Sequence, residues 1–560
     1  MKRKLLSVLL TFCLAFSLLP TAALADGEGT PALAEVSTAA GTALPAAVDG
    51  VITLENGTYV MSEDTTATIK VPNGKNATLD LNGKTLTNKT GEHTIIVENG
   101  ATLTITGNGI VDNVSHGKGA IVNSGEVTLN GGTFERSAEK GTYSPYGNGG
   151  NSWYTIANYG TMEINTGVTV ENAGGYSSMI RNGGEATADC NLTIRGGNFT
   201  GGINTVKNDL FGVLTINGGN FSNTAQYVIM NWNKAEITAG TFQTLDTASA
   251  VLFTSAFGSN ANYVGELTIS GGEFKHASDT QEMIVDHYDE SNKGNAVVTG
   301  GKFDADISKY IPTDYVQSAD GTVEKLGETN AVAKVGGTYY KTLADAVAAA
   351  QDGDTITLLK DAELTSTLNL AKNITIDGQG KYTIKAANSF TVGSDNKTYC
   401  VLYVSGEVTL KDVTVNGNEK CRVIFCDKGK LTIDGATITN GKAPNFIGGV
   451  YMTSSASFEM KSGSITGNKN AKGYQNDEYL QYSSDLWIGA NANGALTAIN
   501  GGTIGNVFVN ANAWSASNPG SFTMNGGTVT NLYVEHDANY GATFKYNDGT
   551  IEHLYLSKEN

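Results

Sequence analysis

The run Asp286-His287-Tyr288-Asp289-Glu290 gathers three carboxylates, an imidazole and a phenol within five positions. Carboxylate oxygens are what a hard cation such as Ca²⁺ prefers, and a histidine or tyrosine beside them can carry a proton. Asp286, Asp289 and Glu290 are therefore the candidate metal ligands, with Ca²⁺ the one cofactor suggested. The plainer reading is a polar loop between Ile284-Val285 and Val297-Val298. Asp412 and Asp434 follow the strand-like segments Val408–Leu410 and Leu431–Ile433 and can be read as a stacked carboxylate pair, or as turn residues. Beyond the leading segment arginine is scarce: Arg136, Arg181, Arg195 and Arg422. Arg422 has a thiol beside it rather than carboxylates, and neither it nor Arg195 is assigned as a base. No phosphate loop, nucleophile elbow or zinc-protease helix occurs. No residue is assigned a catalytic role.

Aromatic clusters point to binding instead. Tyr143 and Tyr146 lie close to Trp153 and Tyr154, with Tyr159 nearby. Tyr474, Tyr479, Tyr482 and Trp487 form a second group, interleaved with Asp477, Glu478 and Asp485. Exposed rings stack on sugar faces, and neighbouring carboxylates and amides bind hydroxyls. The competing reading folds these rings back onto the protein surface. These eight aromatic residues, Tyr159 aside, are the candidate contacts for an extracellular glycan or a host or matrix protein.

The elements that would carry such loops are repetitive. Leu192-Thr-Ile-Arg-Gly-Gly-Asn-Phe199, Leu214-Thr-Ile-Asn-Gly-Gly-Asn-Phe221 and Leu267-Thr-Ile-Ser-Gly-Gly-Glu-Phe274 share one pattern, with looser copies from Leu103 to Val529. Self-similarity every ~20–35 residues marks a stacked solenoid. Leu214 and Ile216 point one way and Thr215 the other. The glycine pair turns the chain, and Phe221 points inward on the next face. Antiparallel hairpins would use the same turns. The short strands and the uneven insertions, such as Lys140 to Trp153, favour an all-β parallel β-helix. Asn440, Asn468, Asn506 and Asn531 follow second short strands of successive repeats, so their amides are expected to bond in a ladder along the stack.

Composition excludes other classes. Lys2, Arg3 and Lys4, the apolar run Leu5 to Leu19 and Ala23-Leu24-Ala25 read as a cleaved secretory signal over residues 1–25. Removing those three basic residues leaves 34 basic against 55 acidic side chains, a net charge of −21. That disfavours nucleic acid and anionic lipid as partners. No later stretch has the length and apolarity of a membrane span. A secreted or cell-surface monomer is expected. Cys190, Cys400, Cys421 and Cys426 fit no zinc pattern. Cys421 and Cys426 are left open as a disulfide or as separate thiols. Glycine (69 residues) is periodic and proline (8 residues) rare, which places glycine at bends and not in linkers.

The expected organisation is a flexible leader over 26–48, a β-helix over 49–310, a linker over 311–330 and a second β-helix over 331–560. The second opens with a cap: Val335 to Tyr340 as a hairpin or strand, then a helix started by Thr342-Leu-Ala-Asp345 with Leu343, Ala346, Val347 and Ala350 on one face. Tyr340 to Ile356, followed by Ile374-Thr-Ile-Asp-Gly-Gln-Gly380, resembles the amino-terminal cap and first coil of pectin-lyase-like right-handed parallel β-helix proteins. The whole mature chain is also similar to adhesin-like surface proteins of Gram-positive gut bacteria. The resemblance implies a right-handed coil, and an activity that ranges from lyase or hydrolase to adhesin. The hydrolase set of Asn-Thr-Asp, Asp-Asp and His-Gly is not assembled here, since His116-Gly117 stands alone and no Asp-Asp pair occurs. The expectation is a non-catalytic adhesin-like binder. The alternatives are a polysaccharide lyase or glycoside hydrolase acting on uronate-rich glycans, or a structural spacer.

Overall fold

A computed structural model describes residues 41–556 apart from 138–152, 173–176, 185–187, 224, 246–248, 258–262, 280, 444–446, 454, 471–483, 490–496, 512–519 and 536–540. The signal segment, residues 26–40 of the leader, Tyr143, Tyr146, Tyr474, Tyr479 and Tyr482 lie outside the described residues. The chain is an all-β, right-handed parallel β-helix.

Three strand columns build the first stack. One is a ten-stranded parallel sheet running from Val51–Thr53 through Ile121–Asn123, Ile180–Asn182 and Asn204–Asn208 to Glu282–Val285. The other two columns join in a 17-stranded sheet, because several strands run unbroken through the corner between them. Gly212–Asn223 is one such strand. Its Leu214 and Ile216 align with Leu192 and Ile194 below, and its Phe221 with Phe199. The glycine pair at its corner has two separate causes. A Cβ on Gly218 would sit 2.5 Å from the Arg195 carbonyl oxygen of the coil below, and Gly219 holds φ at 106°. Each coil passes too close to its neighbour at the first position and turns left-handed at the second.

Beyond the corner the phenylalanines stack. Phe199, Phe221, Phe242, Phe274 and Phe303 lie 4.6, 4.8, 4.7 and 4.5 Å apart with nearly parallel rings. That spacing is the ~4.8 Å separation of hydrogen-bonded strands. A buried amide ladder runs beside this core. The Nδ2 of Asn123 donates to Asn158 Oδ1 (2.7 Å), Asn158 to Asn182 (2.7 Å), Asn182 to Asn208 (2.8 Å) and Asn208 to Asn231 (2.8 Å). Asn231 ends it on Thr254 Oγ1 at 3.1 Å.

The expected ladder in the second half is only partly assembled. Asn531 donates to Asn506 at 2.8 Å. Asn468 turns instead to the carboxylate of Asp485, which also accepts from the Asn506 backbone. Asn440 occupies a left-handed turn at φ 53°. A buried acid has taken the position where the amides were expected to meet.

Part of the 311–330 segment, expected as a linker, is built into the end of the first stack. Tyr315–Gln317 and Val323–Lys325 pair as an antiparallel hairpin, and Ile307, Ile311 and Val323 join the first stack's core. The hairpin covers apolar surface that the last coil exposes. At the opposite end, part of the expected leader is ordered: Thr42–Ala43 pairs in parallel with Gly57–Val60.

The second stack is a 21-stranded sheet that starts with an antiparallel hairpin, Ala333–Val335 with Thr338–Tyr340. Helix Leu343–Ala349 follows, its N-cap Thr342 accepting from the Asp345 backbone N–H at 3.0 Å. Leu343, Ala346 and Val347 are buried against the first coil. Lys372 closes the other end, its ammonium donating to the carbonyls of Val347, Ala348 and Ala350 (3.2, 2.7 and 2.6 Å). A cation at orphan C-terminal carbonyls satisfies them and opposes the helix dipole.

All four described cysteines are free and buried. Cys421 and Cys426 flank and end the strand Arg422–Cys426, about 16 Å apart along extended chain, well beyond disulfide reach. Burial pushes the Cys400, Cys421 and Cys426 thiols up to about 12.

Candidate functional site

One column of residues on the ten-stranded sheet lies on the side away from the core. In register these include Lys70, Ile96, Val122, Ala157, Arg181, Lys207, Met230, Phe253 and Val285. Most are apolar, so this outer face differs from the Thr-lined face beside it, where Thr58, Thr78, Thr104 and Thr128 align. Besides Lys70, which pairs with Glu98, it carries two cations on adjacent coils. Arg181 Nε donates to Asp209 Oδ2 at 3.1 Å, and Lys207 Nζ approaches the same oxygen at 2.8 Å. The guanidinium lies 5.1 Å from the Tyr154 ring centre and 5.8 Å from that of Tyr159, with Nη1 3.4 Å from the Tyr159 hydroxyl. Burial works against the Arg181 charge, but Tyr154, Asp209 and Tyr159 more than offset it and hold its pKa above the usual value. Gly184 makes room, since a Cβ there would strike the guanidinium.

Two aromatic groups flank these charges. Trp153 packs on His93 at 4.5 Å and on Tyr154 at 5.5 Å. His93 Nδ1 accepts from the Gly119 backbone at 2.9 Å, and burial, with Lys118 adding to it, pushes its pKa down to about 4. On the other side Trp232 contacts Phe253, Phe257 and Tyr288 at 5.0, 5.4 and 6.3 Å, and Phe257 and Tyr288 are exposed. Of the sequence candidates, Trp153 and Tyr154 belong to this face. Arg181, Lys207, Asp209 and Trp232 were not singled out for it. Their signal is faint, because they meet only through coils 23 to 28 residues apart.

Trp487 is not a loop residue. It stands in strand Leu486–Ile488 and is 9% exposed. It belongs to an outward column on the second stack: Tyr403, Phe425, Tyr451, Trp487, Phe508, Tyr533 and Tyr555, in register. Its ring is stacked between Tyr451 (6.0 Å) and Phe508 (4.4 Å). Both ring faces are occupied by neighbours, which leaves no face for a sugar. Ile447 packs on the same column and is fully buried.

The proposed calcium ligands do not converge. Asp286 pairs with Lys309 (2.7 Å) and with His287 Nδ1 (2.8 Å), and it is held below the usual carboxylate range by those partners, against the effect of burial. Asp289 instead accepts from the Ser291 backbone and the Asn292 amide within its own turn. Glu290 is 84% exposed beside Lys293. Among the described residues no group of three or more acidic, His or Cys side chains is placed to hold a metal. Asp412 sits in a bend and Asp434 ends the strand Gly429–Asp434 on the adjacent coil, the two joined through the Asp412 N–H and the Asp434 carbonyl at 2.8 Å. A carboxylate stack that went unnoticed in the sequence is Asp112, Glu135 and Glu171, on three successive coils. Burial pushes Glu135 up to about 6, and the charges of Asp112 and Glu171 add to it.

No family model matches the chain, and no curated protein matches it. Solved structures of a PL6-family alginate lyase, AlyGC, and of a point mutant of it are similar at 13% and 12% identity. Each match covers 91% of this chain and 97% of the lyase, at a TM-score of 0.20. At that score the likeness assigns no role to any residue of this chain.

Proposed function

We propose that the protein is a non-catalytic β-helix that holds a glycan chain, or a host or matrix protein, against the outer face of its ten-stranded sheet. The arrangement of Arg181 over Tyr154 and Tyr159, with Lys207 on the next coil, carries this reading. An acidic chain places two of its few positive charges side by side there, between aromatic rings. Guanidinium and ammonium groups bind the oxygens of acidic sugars, and flanking tyrosine and tryptophan rings take sugar faces. The positive run of Lys2 to Lys4 followed by Leu5 to Leu19 supports export to the cell surface or medium as part of the same reading.

A glycan and matrix-protein array with the mature chain tests it. Arg181→Ala is expected to weaken any hit by about tenfold or more, which corresponds to about 1.4 kcal/mol. An array without hits would leave the spacer role in its place. One contact favours a lyase as the second reading. Tyr159 lies beside the Arg181 guanidinium, as a proton-abstracting phenol would beside the charge that stabilises its anion. Incubation with polyuronates, followed by absorbance near ~235 nm from unsaturated product, separates the two. Turnover abolished by Tyr159→Phe would replace the binding model.

A further inference from the structure

Arg422 is a buried cation without a counter-ion. It is 2% exposed, at the start of strand Arg422–Cys426 on the second stack. Its guanidinium lies 5.5 Å from the Phe425 ring centre and 5.0 Å from that of Tyr451, both in the outward aromatic column. Nε donates to the Ile447 carbonyl at 3.1 Å and Nη1 to Asn396 Oδ1 at 3.3 Å. Nη2 makes no hydrogen bond, and among the described residues no carboxylate forms an ion pair with Arg422. Burial lowers its pKa, and the nearest titratable groups are Cys400, Tyr451, Cys421 and Tyr399, all neutral at pH 7. Every other described arginine differs. Arg181 and Arg195 hold carboxylates, and Arg136 is not without partners.

This guanidinium has two neutral acceptors and none of the anionic partners that normally accompany a buried charge. A planar guanidinium with Nη2 unused is half of a bidentate oxyanion site. The outward rings beside it stack face to face along the column and so present their edges. We infer that Arg422, with Asn396 beside it, is a subsite for an oxyanion carried by a glycan: the carboxylate of an acidic sugar or a sulfate ester. The glycan as carrier rests on the proposed function above. This subsite lies on a different stack from the Arg181 cluster, so the two readings fail separately.

The test uses the full mature chain with three oligosaccharide probes: carboxylated, sulfated and neutral. In an Arg181→Ala background, which removes the first stack's site, titration calorimetry is expected to show at least one anionic probe binding about tenfold or more tightly than the neutral one, and adding Arg422→Met to abolish that preference. The arm that binds identifies the oxyanion. Preference unchanged in the folded double variant overturns the inference, as does the absence of any preference in Arg181→Ala alone. If Arg422→Met does not fold, hydrogen exchange on the wild type decides. Slower exchange at residues 396–399, 422–425 and 447–451 with the anionic probe supports the subsite, and unchanged exchange there overturns it.

Discussion

Asn182 shows how much one side chain carries in this molecule. Its amide bonds Asn158 below, Asn208 above, and the carbonyls of Cys190 and Val213. Asn182→Ala leaves buried groups on three coils short of partners, which costs about 1–3 kcal/mol each. Urea unfolding is expected to show a loss at the upper end of that range, and a loss under ~0.5 kcal/mol would mean the ladder is dispensable. Two titrating residues make opposite predictions. His93 is depressed from 6.5 to about 4, so the folded state refuses a proton that the unfolded chain accepts. Its contribution to stability is complete above pH 6.5 and is lost as pH falls toward 4. Glu135 is raised from 4.5 to about 6, so its contribution is complete below pH 4.5 and is lost as pH rises through 6. Glu135→Gln should therefore raise the melting temperature at pH 7.5 and leave it unchanged at pH 4.5. A uniform shift at both pH values would remove the carboxylate stack as the cause.

At the scale of the element, the corner and the cap decide stability. The Gly-Gly pair is fixed twice over, by the Arg195 carbonyl below Gly218 and by the positive φ of Gly219. Gly219→Ala is expected to cost about 1–2 kcal/mol from backbone strain alone. Gly218→Ala should cost more, because its obstacle is main chain that cannot rotate away. Equal losses in a denaturant series would refute this separation of causes. On the cap helix, Lys372→Met removes three donors to the carbonyls of one C-terminus. The expected loss is about 1–2 kcal/mol, read as faster hydrogen exchange in Leu343–Ala349. The corner was legible in the sequence because glycine has no substitute there. The capping Thr342 and the apolar stripe of the helix were legible too. Lys372 was not, because it reaches the helix from a bend between strands 22 to 25 residues away.

Across the whole molecule, the buried apolar residues of the two stacks form separate clusters, one ending at Val323 and the other starting at Ala333. A solenoid is stabilised by neighbour contacts, so the stacks are expected to melt as two units. Calorimetry should resolve two transitions, and Phe242→Ala should lower only one of them, by about 3–5 kcal/mol. A single transition shifted as a whole would show that the stacks unfold together. The sequence by itself determined the rung: which residues face in, where the chain turns, and that rungs repeat. Those properties are set by alternation and by glycine within about ten residues, which local sequence contains. What only the tertiary structure decided is the sideways company of each rung. Whether Asn468 meets an amide or Asp485, whether Trp487 shows a face or an edge, and whether Arg181 finds Asp209 depend on register between coils. Insertions of unequal length separate those coils along the chain, so alignment of the coils is fixed by packing in the stack.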